Sequence, residues 1–146
     1  YGPGDLHFNR IVPMTIKQLN AGLPPIIRDR SDSVRDYLYV EDAADAYIKL
    51  AEKMDKPIFG HAFNFSTNKQ ISAGKVISTI SKAMNKMEIE PITINTRGCE
   101  IHKQYASFDK ALKLINWKPI HSFKAGIAKT IPWYVDYLND KKNRDI

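Results

Sequence analysis

Cysteine is nearly missing from this sequence. Cys99 is the only one in 146 residues, so no internal disulfide can form, and a lone thiol among the scattered His7, His61, His102 and His121 lacks the paired spacing of a metal site. No metal is expected. Long apolar runs are missing too. No stretch approaches the roughly 18 to 20 residues of a membrane span, and no basic start leads into an apolar signal segment. These absences give the expectation of a cytoplasmic protein with no membrane partner. With only 7 Gly and 8 Pro, collagen and low-complexity architectures are excluded as well. Four motifs are also absent: GxGxxG, the phosphate-binding GxxxxGK[ST], the GxSxG elbow and the HExxH helix. Residue types alone therefore nominate no catalytic residue.

What is present suits one globular α/β domain over residues 1–146. Hydrophobic residues make up 43% of the chain and aromatics 10%. A chain of about this length buries about 68 to 70% of its unfolded surface, enough for a core without disulfides or metal. The 22 Lys and Arg against 16 Asp and Glu leave a net charge of +6. Bases and acids alternate along most of the chain, so no stripe for nucleic acid is expected. Lys141, Lys142 and Arg144 form the one basic cluster, which reads as a solvated terminus.

Periodicity alternates between helix and strand with no internal repeat. After the turn-rich Tyr1 to Asp5, a helix is expected over Phe8 to Asn20 on the stripe Ile11, Val12, Ile16 and Leu19, stopped by Gly22 and the following prolines. A strand follows at Pro25 to Arg28 and a longer, largely buried one at Val34 to Val40. Glu41 and Asp42 open a helix with Ala43, Ala46, Tyr47, Leu50 and Met54 on its apolar face. Ala62 to Ser66 reads as a strand. Ser72 caps a helix striped by Val76, Ile77, Ile80, Met84 and Met87, and Ile89 to Ile94 reads as another strand. A loop around Gly98 leads to a short helix opened by Ser107, with Ala111, Leu112 and Ile115, closed at Trp117. The last helix starts at Ser122 with Phe123, Ile127, Ile131, Val135 and Leu138, and Pro132 should kink it.

Two features could carry chemistry. Tyr137 and Lys141 stand at the Tyr-x-x-x-Lys spacing in which an ammonium activates a phenol, but they fall at the end of the last helix with no cofactor fingerprint ahead of them, and Lys141 reads as solvated. More telling are four arginines around the expected strands: Arg10, Arg28, Arg30 and Arg35. Guanidinium forks match phosphate oxygens and suit a diphosphate ligand. Arg35 lies just ahead of a buried strand and beside Asp36, so an ion pair with that acid and a ligand contact are both open.

Five segments, in order, carry a resemblance: Tyr1-Gly-Pro-Gly-Asp5, Arg10-Ile-Val-Pro13, Val34-Arg-Asp-Tyr-Leu-Tyr-Val-Glu-Asp42, Phe63-Asn-Phe-Ser66 and Trp117-Lys-Pro119. Together they resemble the C-terminal half of extended short-chain dehydrogenase/reductases, the NAD-dependent nucleotide-sugar epimerases and 4,6-dehydratases, and most of all the CDP-glucose 4,6-dehydratase branch. The resemblance implies a substrate-binding part with a small sheet and several helices that lacks most of the Rossmann domain. In that family the arginine of the Val-Arg-Asp segment grips the diphosphate, which maps onto Arg35, and Arg10 approaches the nucleotide phosphates. Ile27 and Arg28 would pass the base. Lys103 and Tyr105 lie where many relatives carry a second diphosphate clamp, with Lys103 replacing an arginine by a point charge.

The resemblance further implies a nucleotide-diphosphate sugar as ligand and NAD(P) as the cofactor of the parent protein. With the glycine-rich fingerprint and the catalytic Tyr-x-x-x-Lys taken to lie outside this chain, the dinucleotide-binding domain is expected to be absent. The chain alone is then expected to bind no cofactor and to be inactive, a truncated piece whose partner is the missing Rossmann domain or a chain supplying it. A homo-oligomer stays open. The alternative from another class is a non-catalytic binding or assembly module with the same fold.

Overall fold

A computed structural model describes residues 1–28, 30–54, 58–94 and 101–140. Helix α1 (Ile11–Asn20) buries Val12, Ile16 and Leu19, as its spacing predicts, and tolerates Pro13 because a first-turn nitrogen needs no helical partner. It starts three residues later than Phe8, since Phe8 to Arg10 is taken up by a turn in which Arg10 N–H donates to His7 O at 2.9 Å. The stop is a Schellman closure. Gly22 adopts φ +70°, and the Leu23 and Gly22 N–H groups donate to Gln18 O and Leu19 O at 2.8 and 3.1 Å.

Strand β1 (Ile26–Arg28) pairs in parallel with β4 (Ile92–Ile94), Ile26 opposite Ile92 and Arg28 opposite Ile94. A second pair, β2 (Val34–Arg35) with β3 (Ile71–Ser72), is antiparallel. The expected strand to Val40 therefore ends after Arg35. Residues 36–39 join no ladder, and the segment is held by Tyr1 instead: Tyr1 N–H donates to Leu38 O and Val40 N–H to Tyr1 O, both at 2.9 Å. Val40 already opens α2 (Val40–Glu52). Ala62 to Ser66 joins no ladder among the described residues, although Phe63 and Phe65 keep the alternation by packing on the same core.

Helix α3 (Ala73–Ala83) is capped by Ser72, whose Oγ accepts from Lys75 N–H at 3.2 Å. Helices α4 (Asp109–Ile115) and α5 (Phe123–Asn139) complete the chain, with the Ser122 Oγ accepting from Ala125 N–H. Helix α5 runs unbroken through Pro132.

Two cores result. The larger joins α1, α3 and α5 through Val12, Ile16, Leu19, Val76, Ile80, Ile127 and Tyr134. The smaller sets Ala46 of α2 against Ala111, Ile115 and the fully buried Trp117. Tyr47 and Met54, expected inside, are exposed. The buried line of α2 runs through Asp42 and Ala46, which turns Tyr47 outward, and Met54 lies past the helix end. Met87 likewise lies past α3 and is exposed. Among the described residues no helix is long and apolar enough to cross a membrane, and no cluster of three potential metal ligands occurs.

Candidate functional site

The site begins with a carboxylate. Asp36, directly after β2, accepts from Ser66 Oγ at 2.5 Å, from Thr67 N–H at 3.0 and 3.1 Å, and from the Thr67 hydroxyl. Ser66 is buried and its Oγ also lies 2.6 Å from Ala106 O. Two segments that look independent in sequence, Val34-Arg-Asp36 and Phe63-Asn-Phe-Ser66, are thus one hydrogen-bonded unit. Asp36 is committed to it, so the ion pair with Arg35 is not made. The Arg35 guanidinium instead donates to Val34 O at 2.9 Å.

That arrangement leaves Arg35 on the wall of a cavity of about 600 Å³. Arg10, Arg28 and Arg30 line the same cavity, together with Ser33 and the first residue of α3, Ala73. All four arginines singled out in the sequence therefore converge, brought together by the N-cap of α1, by β1 and the turn after it, and by β2. Strand alternation decides the neighbouring position: Arg28 reaches the cavity, whereas Ile27 is buried beneath it and does not line it.

The four differ in their electrostatic freedom. Arg10 holds Asp5 at 3.0 Å with most of its side chain in solvent. Arg30 grips Asp32 through two bonds of 2.9 Å, and these hydrogen bonds hold the Asp32 carboxyl well below its usual range. His102 adds to it at 3.3 Å. Arg28 and Arg35 pair with no carboxylate among the described residues, and both face the cavity. Two guanidinium groups that pair with no carboxylate among the described residues thus share one concave wall with Asp5 and Asp36, and planar forks of this kind suit an acceptor-rich anion.

A second cavity, of about 400 Å³, shares Arg35 and Asp36 with the first and is lined by Tyr105 among others. Lys103 is exposed, lines neither cavity, and bridges to Val34 through the backbone, with Val34 N–H donating to His102 O and Gln104 N–H to Val34 O. Tyr137 stacks on Trp133 with ring centroids 5.2 Å apart. Lys141, Lys142, Arg144, Gly98 and Cys99 lie outside the described residues.

One cluster escaped the sequence reading. Asp42 is almost fully buried and accepts from Ile120 N–H and His121 N–H, both at 3.1 Å, with His121 Nδ1 at 2.9 Å. Glu41 beside it is paired with Lys129 at 2.6 Å, which holds its carboxyl below the usual range. The pair Glu41-Asp42 therefore does more than meet the helix dipole: it fastens α2 to the segment after Trp117. Only its partners 78 residues away would have revealed this.

Comparison with known proteins agrees on a broad class. A family profile described as the NAD dependent epimerase/dehydratase family matches residues 1–66. The dTDP-glucose 4,6-dehydratase of Salmonella typhimurium is 29% identical over 154 aligned residues, covering 98% of this chain and 41% of the relative. Among solved structures, dTDP-glucose 4,6-dehydratase from Bacillus anthracis in complex with NAD superposes with TM-score 0.86 at 20% identity, over 97% of this chain and 44% of that one. UDP-glucose 4-epimerase from Thermotoga maritima with UDP-glucose gives TM-score 0.85 at 23% identity, over 95% and 44%. The chain thus spans about two fifths of the length of the relatives it matches. NAD-dependent nucleotide-sugar epimerases and dehydratases are the class common to the sequence reading and to these matches.

Several expectations are corrected here. The profile occupies the N-terminal segment of this chain, so assigning the whole chain to a C-terminal half without the cofactor domain is overturned. The fold expectation changes with it: the family profile falls on residues 1–66, so the match does not support an α/β chain that lacks that region. The readings that rested on its absence fall together. These are a substrate-binding portion without the cofactor region, a chain outside the reach of NAD, and a partner supplying the missing Rossmann domain. The relatives' names carry dTDP-glucose and UDP-glucose, and the leaning to CDP-glucose finds no support in them.

Proposed function

We propose that this chain is part of an NAD-dependent nucleotide-sugar dehydratase or epimerase, that it includes a portion of the dinucleotide-binding region, and that its arginine-lined cavity holds the diphosphate of the nucleotide sugar. The observation that carries the reading is the convergence of Arg10, Arg28, Arg30 and Arg35 on one cavity, with Arg28 and Arg35 free of carboxylates among the described residues. Its volume of about 600 Å³ lies within the range of small-molecule sites. In this reading Arg35 is the principal phosphate ligand, held by the strand that Asp36 anchors, and Arg28 is the second. Arg10 and Arg30 contribute charge but stay tied to Asp5 and Asp32. NAD, when bound to such enzymes, supplies the hydride acceptor. A GxGxxG turn is not among these residues, and none of them is assigned to its phosphates.

Titration calorimetry of the protein with UDP-glucose and dTDP-glucose tests the assignment. Loss of a charge-assisted phosphate contact in Arg35→Ala should weaken binding roughly 10- to 100-fold. Arg30→Ala, which removes an exposed surface pair, should change it by less than about fivefold. Equal effects of the two substitutions would remove Arg35 from this role.

A further inference from the structure

Ser33, a residue of the arginine cavity wall, carries a buried hydroxyl with no hydrogen-bond partner among the described residues. Among the described residues three buried side-chain atoms make no hydrogen bond: Thr15 Oγ1, Ser33 Oγ and Trp117 Nε1. Of these residues only Ser33 lines either of the two cavities. It is 5% exposed, and its backbone is fixed on both sides, its carbonyl accepting from Ala73 N–H at 3.0 Å and the next residue, Val34, donating to His102 O at 2.9 Å. The backbone donors nearby are already used. Gly74 N–H goes to Ser31 O at 2.8 Å and Lys75 N–H to the Ser72 cap, so the start of α3 offers the cavity no free amide at these positions. A buried hydroxyl without a partner costs stability, and native folds rarely keep one without use.

Ser33 has a single side-chain torsion, and a staggered rotation is the motion available for finding a partner. The wall around it carries Arg28 and Arg35, which pair with no carboxylate among the described residues, beside Asp5 and Asp36, and the two guanidinium groups favour an anion rich in acceptors. A serine hydroxyl complements guanidinium groups there because it donates one directed bond to an oxygen that the forks leave unsatisfied.

We infer that Ser33 is a ligand-contacting residue of this cavity, donating its hydroxyl proton to a phosphate oxygen of the bound diphosphate. The inference rests on the cavity being a diphosphate site, as proposed above, and adds a residue that neither the motif nor the arginines point to.

The test uses Ser33→Ala, with Ser31→Ala as an exposed neighbour, in calorimetric titrations with UDP and thermal melts without ligand. The expected result is binding weakened about tenfold in Ser33→Ala, as for loss of a hydrogen bond to a charged group. Ser31→Ala should bind unchanged. The ligand-free melting temperature of Ser33→Ala should be equal to or above that of the parent, because the hydroxyl has no partner to lose. Unchanged UDP binding in Ser33→Ala, with the parent binding well, would overturn the role of Ser33 and leave the arginine site standing. A clearly lowered melting temperature would also overturn it, by showing that the hydroxyl serves the fold. Failure of the parent itself to bind UDP would overturn both this inference and the site beneath it.

Discussion

Asp36 sets the geometry of the site through its hold on Ser66 and Thr67. Replacing it by Ala strands the Thr67 amide and leaves the Ser66 hydroxyl with Ala106 O as its remaining acceptor from the core of the site. We expect a loss of about 3 kcal/mol in urea unfolding, the scale of a carboxylate removed from a set of partly buried partners, together with weaker nucleotide binding because β2 loses its anchor. Tyr134 offers a pH test. Its hydroxyl donates to Asp5 O at 2.6 Å, and burial pushes its pKa well above the ordinary phenol value. The unfolded phenol ionises near pH 10, so the stabilisation from the neutral buried form is complete below that pH and is lost as pH rises towards the folded pKa. Tyr134→Phe should cost about 1 kcal/mol at neutral pH and flatten the alkaline decline in melting temperature. At this scale the sequence was legible in part. Arginine chemistry could be read directly, and the four arginines do meet. The commitments of Asp36 to Ser66 and of Asp42 to His121 could not, because each depends on a partner 30 or more residues away.

Helices were more legible than strands, for a reason of length. A stripe recurring over 10 to 17 residues, as in α1, α3 and α5, outweighs local ambiguity. Strands of two or three residues leave no period to detect, and whether Val34 to Val40 pairs or merely extends is decided by a distant neighbour, here Tyr1. The caps could be read for the same local reason: Ser72 and Ser122 each satisfy an amide three residues on. Pro132 removes one donor from the middle of α5 while its own ring is exposed. Pro132→Ala should therefore restore the helical bond to Ala128 O and raise stability by about 1 to 3 kcal/mol in guanidinium unfolding. A decrease would mean that the helix requires the geometry proline imposes.

Over the whole molecule, the apolar surface is unevenly spent. Helix α2 buries Asp42 and Ala46 but exposes 70% of Tyr47 and 58% of Ile48, with the exposed Val40 about two turns before them. Exposed apolar faces of this kind promote association. Sedimentation of the isolated chain should show concentration-dependent association, and Tyr47→Lys with Ile48→Glu should return it to monomer; a monodisperse parent would count against the surface. The long-range hold of Asp36 on Ser66 and Thr67 limits how the site can be moved. Transplanting Val34 to Asp36 into another scaffold would carry the arginine but not its aim, since that is fixed by a serine and a threonine from a different stretch of chain. Any redesign of ligand preference must inherit both pieces as a single cassette.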